Sequence, residues 1–144
     1  MASWRDSASP QTQDDLDGLL DASLPFAQQQ LERYGELFPY GMALGLDGET
    51  TAVAGDPGDG EHTSSLDVLA VLIGGLREQR DDLRAIALVS DVRLAGSDAI
   101  RVELEHREGP AMAVLLPYRR SRLRKRLELG NLEAMAADPQ VWTS

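Results

Sequence analysis

The chain has no cysteine, which excludes a disulfide framework, a thiolate metal site, a redox pair and a cysteine nucleophile together. Histidine is nearly as scarce, with His62 and His106 the only two, and aromatic residues make up 5% of the chain. Long apolar runs are missing as well. The longest, Val68 to Leu76, is far short of a membrane span. Met1 to Gln13 contains one arginine and no apolar stretch of the kind a secretory signal requires. These absences point to a soluble, cytoplasmic protein with no membrane association.

What is present is ordinary for a globular domain: 42% hydrophobic and 26% charged residues in 144. That length suffices for one continuous core without covalent staples. The net charge of −10 repels polyanions at long range, so nucleic acid is an unlikely partner. Charge is unevenly placed, however. Arg119, Arg120, Arg122, Arg124, Lys125 and Arg126 hold six of the 14 basic residues.

Residues 1 to 13 are rich in Ser and Gln, read as a flexible lead-in to a single domain over 14 to 144. From Asp14, the apolar positions Leu16, Leu20, Leu24, Ala27, Leu31 and Tyr34 fall on one helical stripe, with Gly35 as a stop. Pro25 interrupts that stripe and predicts a break, with Ser23 capping a second segment. Two short segments flank Asp47-Gly48, the turn pair of a β-hairpin. The stretch from Gly55 to Thr63 is a polar loop.

Leu66, Leu69, Ile73 and Leu76 mark a second helix, and Val68, Val71 and Leu72 make it apolar on another face too. Either the sheet and first helix cover both faces, or Val68, Val71 and Leu72 form a homodimer seam. Ala85 to Val92 reads as a strand buried on both faces. Ile100, Val102 and Leu104 alternate with Arg101, Glu103 and Glu105, giving a strand with one wet face, and His106 continues the inward series. After Gly109-Pro110 a third apolar strand runs from Ala111 to Leu116, ended by Pro117 and Tyr118. Leu127 to Ala137 fits either a short helix or an extended segment, and Trp142 is large enough to dock on the body. The expected fold is α+β: helix, β-hairpin, helix and three-stranded meander, one antiparallel sheet with helices packed on it.

The Asp47-Gly48 hairpin and the two-faced helix from Leu66 to Leu76, set in that element order over residues 14 to 118, resemble the roadblock/LC7 type of profilin-like domain. The resemblance implies dimerisation through the second helix and third strand, with Val68, Val71 and Leu72 facing the partner subunit, and a scaffolding or regulatory role. Type III secretion chaperones share helices around an antiparallel sheet and an acidic composition, in an order that fits less well.

Catalytic fingerprints are missing: there is no nucleophile elbow, P-loop, dinucleotide motif or H-E-x-x-H, and no cofactor is implied. His62, with Asp56, Asp59 and Glu61, sits in the glycine-rich loop without the spacing of a metal or calcium site. Ser90-Asp91 has no histidine placed beside it by the sequence. The arginine run is the feature most open to chemistry. Arg119, Arg120 and Arg122 carry forked guanidiniums suited to phosphate or carboxylate, Tyr118 offers a ring for stacking, and His106 is placed at the rim. Equally, the run pairs with the protein's own acidic residues or docks an acidic partner. The expected function is a non-catalytic protein-interaction or regulatory module, self-associating. The alternatives are an anion-binding protein centred on the arginines, or an acidic-surface inhibitor of a basic target.

Overall fold

The computed structural model describes residues 8–54, 65–94, 96–120 and 127–143. Ser9 begins the order: its extended backbone and side-chain oxygen, which accepts from the Thr12 N–H at 3.1 Å, cap helix α1 (Pro10–Tyr34). The helix therefore starts at Pro10, ahead of the Asp14 expected. It also runs unbroken through Pro25, contrary to the break that this proline implied. An interior proline costs about 3 kcal/mol of helix. Ala27 and Leu31, both fully buried beyond it, offset that cost by packing into the core.

Strands β1 (Tyr40–Gly45) and β2 (Thr50–Ala54) form the hairpin expected at Asp47-Gly48, with Gly48 at φ 89°. Helix α2 (Ser65–Gln79) and a 3-10 turn (Arg80–Asp82) lead into three long strands, β3 (Leu83–Leu94), β4 (Ser97–His106) and β5 (Ala111–Arg120). All neighbours are antiparallel.

The expected sheet ended with the meander at Tyr118, and here the structure corrects the sequence reading. Two further strands, β6 (Leu127–Leu129) and β7 (Glu133–Ala136), both pair with β5, giving a curled seven-stranded sheet shaped like half a barrel, in the order β2-β1-β3-β4-β5-β6 with β7 also on β5. The residues of β7, Glu-Ala-Met-Ala, have helical propensity, and the need to pair the β5 edge overrides it. Gly130 sits where the chain crosses Pro117. A Cβ there would stand 3.3 Å from the Pro117 Cβ, while the Gly130 N–H donates to the Pro117 carbonyl at 2.8 Å.

Each face of the sheet has its own core. On one, α1 lays Leu16, Leu19, Ala27 and Leu31 over Ala85, Ala87 and Val89 of β3, Ile100, Val102 and Leu104 of β4, and Met112, Val114 and Leu116 of β5. On the other, Val68, Leu72 and Leu76 of α2 meet Ala43, Ile86, Leu88 and Val141. Strand β3 is thus covered on both sides, as its continuous apolar run implied. Among the described residues no helix is long and apolar enough to cross a membrane.

Tyr40 ties α1 to the sheet. Its hydroxyl donates to the Ser23 carbonyl at 2.6 Å, and its ring packs edge-on against Phe26 at 4.9 Å. Burial pushes the phenol well above its ordinary value. The unfolded chain therefore gives up this proton first as pH rises past about 10, and the folded form loses stability by up to ~1.4 kcal/mol per pH unit from there. Tyr40→Phe is expected to remove that part of the alkaline slope in urea titrations run between about pH 9 and 11; an unchanged slope would show that the buried phenol does not set it.

Candidate functional site

The cap at Ser9 fixes where α1 begins, and so places Asp15 in its second turn, facing the end of the sheet. Three elements converge on its carboxylate. His106, the last residue of β4, brings Nε2 to 2.8 Å from Asp15 Oδ2. From β3, Arg84 Nη1 stands 3.4 Å from Oδ1, and Gln11 Nε2 donates to the same oxygen at 3.0 Å. Asp15 and His106 are both buried. A cleft of about 610 Å³ opens beside them, lined also by Ser9, Thr12, Arg107 and Glu108.

An aspartate bonded to a histidine in a polar cleft has the parts of a general base. The wiring is different. His106 Nδ1 accepts from the Glu108 N–H at 3.1 Å, so this nitrogen is unprotonated and Nε2–H is the donor to Asp15. Both ring nitrogens are thereby used inside the fold, and neither is presented to the cleft. Arg84 likewise divides its guanidinium between Asp15 and the Leu46 carbonyl at 3.1 Å. The cluster braces the start of α1 against the β1–β2 turn and the β4–β5 turn. As built, it is a strut between elements 91 residues apart in sequence.

A second buried carboxylate lies on the opposite face. Glu105 belongs to the alternating series that implied a wet face, yet it is buried beneath residues 140–142. It accepts from the N–H groups of Gln140 at 2.8 Å, Val141 at 3.0 Å and Trp142 at 2.6 Å. Neither carboxylate was singled out by sequence reasoning, because the partners that bury them, His106 and Arg84 for Asp15 and residues 140–142 for Glu105, are distant in the chain. The inward phase of His106 was the only available hint.

The residues that the sequence did single out are dispersed. The Tyr118 ring is buried, and its hydroxyl donates to Asp91 Oδ1 at 2.8 Å, so it offers no open face for stacking. Its β4 neighbour is Asp98, at the far end of that strand from His106, a separation of ~27 Å along an extended chain. The two cannot rim one site. Arg119 is exposed opposite Glu128 of β6. Arg120 closes β5, while Arg122 and the rest of the run lie outside the described residues, as do His62 and its loop. Ser90 is buried, and its strand neighbour is Arg101, not a histidine.

The expected dimer seam also changes. Val68 and Leu72 are covered by the chain's own sheet, at 7% and 1% exposure, so they are not available to a partner; Val71 is 41% exposed. One sheet face is wide enough to hide the first two because Ile86 and Leu88 of β3 and Ala43 of β1 meet them directly. Among the described residues, no group of three or more His, Cys, Asp or Glu side chains gathers as a metal site.

No protein-family model matches the chain, and no curated protein or solved structure is detectably similar to it.

Proposed function

We propose that this domain is a protein-interaction module that self-associates as a two-fold dimer, with the outer edge of β2 and the adjoining flank of α2 as its seam. The observation that carries the reading is the character of that edge. Strand β2 pairs with β1 alone among the described residues, and Thr50-Thr51-Ala52-Val53-Ala54 contains no charge, proline or glycine. Monomeric proteins guard a free edge with such residues, because its unpaired N–H and C=O groups template another strand. An antiparallel pairing of β2 with its own copy is self-complementary and closes at two chains.

The flank of α2 supports the same seam. Val53 of β2 packs against the second core, as do Leu69 and Ile73 of α2, and Leu66, one turn from Leu69 and on the same flank, remains exposed. An uncharged contact surface also suits two copies that each carry −10. Self-association through α2 is kept from the sequence reading, with the exposed Leu66 in place of the buried Val68 and Leu72.

Light scattering tests the reading. The natural chain is expected to show twice the one-chain mass at micromolar concentration. A Thr50→Lys, Ala52→Lys variant, altering two exposed side chains, is expected to show the one-chain mass with unchanged circular dichroism. A one-chain mass for the unaltered protein would remove the proposal.

A further inference from the structure

The segment Gln140–Thr143 is held by its main chain. Glu105, buried on the outer face of β4, accepts from three consecutive amides, with Val141 N–H reaching both carboxylate oxygens at 3.0 Å. From the other side, Arg77 Nε of α2 donates to the Gln140 carbonyl at 2.6 Å. Arg80 Nη1, in the turn after α2, donates to the Val141 carbonyl at 3.0 Å and the Thr143 carbonyl at 3.1 Å. Charged side chains thus bind both kinds of main-chain group along four residues, and such bonds are about twice as strong as neutral ones.

Only the apolar side chains of the segment add selectivity. Val141 is fully buried among Val68, Leu72, Leu76, Ile86 and Leu88, and Trp142 packs at the margin of that core. Upstream, β7 pairs with β5 through its backbone while all four of its residues stay exposed, and beyond it the Ala137 N–H reaches the Ala111 carbonyl only at 3.5 Å. The clamp therefore recognises a short segment by its backbone and one β-branched side chain, features that do not depend on covalent attachment to this chain.

We propose that the cleft between α2 and the outer face of β4 is a peptide-recognition site, filled in cis by residues 140–143. It takes in their place a partner's segment in which a β-branched aliphatic residue precedes an aromatic one. Glu105, Arg77 and Arg80 are its binding residues, and the cis segment sets the threshold a partner must exceed. The site is separate from the β2 edge and stands or falls independently of dimerisation.

The full chain can test this with a protease recognition sequence inserted between Ala137 and Asp138 and cut after folding. The probe is a fluorescent synthetic peptide, Asp-Pro-Gln-Val-Trp-Thr-Ser, copying residues 138–144. The nicked protein is expected to exchange its own segment for the probe with saturable anisotropy, while the uncut parent binds it more weakly because the tethered segment competes at high effective concentration. A probe carrying Val141→Asp, which leaves the protein untouched, is expected to bind at least about tenfold more weakly, since it would bury a charge in an apolar pocket. Nicked Glu105→Gln protein is expected to show a comparable loss with the natural probe. The proposal is overturned if nicked protein with native circular dichroism shows no saturable exchange, or if the natural and Val141→Asp probes bind alike.

Discussion

Leu72→Asp is expected to unfold the domain, whereas Val71→Asp, on the neighbouring position of the same helix, is expected to leave stability within about 0.5 kcal/mol. Leu72 is 1% exposed between α2 and β3, in contact distance of the cluster that includes Ile86 and Leu88. Truncating a buried leucine costs roughly 2–5 kcal/mol. A carboxylate in the same place adds several more, because nothing in that apolar cluster can pair with it. The sum is comparable with the whole stability of a domain this size, about 5–15 kcal/mol. Urea denaturation followed by circular dichroism distinguishes the outcomes: loss of the transition for Leu72→Asp, and an unshifted midpoint for Val71→Asp. Were Leu72→Asp instead to remain folded, and merely change the mass of the particle, Leu72 would have to lie on a subunit surface, against the packing described above.

The contrast between those two neighbours shows what the sequence conveys and what it withholds. Periodicity identified α2, β3, β4 and β5 and the hairpin at Asp47-Gly48, because local patterns of burial and turn chemistry are written in adjacent residues. It also placed Ile100, Val102 and Leu104 on the inner face, where they lie in the first core. How much apolar surface a sheet can cover is not local. Val68 and Leu72 looked surplus to one sheet because the residues that cover them, Ala43 of β1, Ile86 and Leu88 of β3 and Val141, are brought to one face only by the tertiary fold. Pro25 misled in the opposite sense, since its local cost is real and is outweighed only by the tertiary burial of Ala27 and Leu31.

The polar clusters were less legible still. Glu105 has the phase of a solvated residue, and becomes buried only when residues 140–142 fold over it. Its role depends on a contact across 35 to 37 positions that no alternation encodes. His106 carried a usable signal: a titratable residue in the inward phase of an otherwise apolar series must find a partner, or its ring nitrogens are buried unpaired. Which carboxylate would meet it could not be read, because that depends on α1 starting at Pro10.

Asp15→Ala is accordingly the second change with a large expected effect, a loss of about 3 kcal/mol. Alanine at this position leaves the His106 Nε2–H buried without an acceptor, and removes the oxygen shared by Gln11 and Arg84. His106→Ala is expected to cost a similar amount, because it takes the partner from Asp15 Oδ2 and from the Glu108 N–H at the other side of the ring and leaves a cavity in their place. If the two act as one strut, the second substitution finds its partner already gone. The double variant should then fall short of the sum of the single losses by roughly 1–3 kcal/mol. In thermal unfolding each single change should lower the midpoint by about 6–12 °C for a domain of this size. Strictly additive losses in the cycle would show that Asp15 and His106 contribute separately, and that the brace between the start of α1 and the end of β4 is not what holds those elements together.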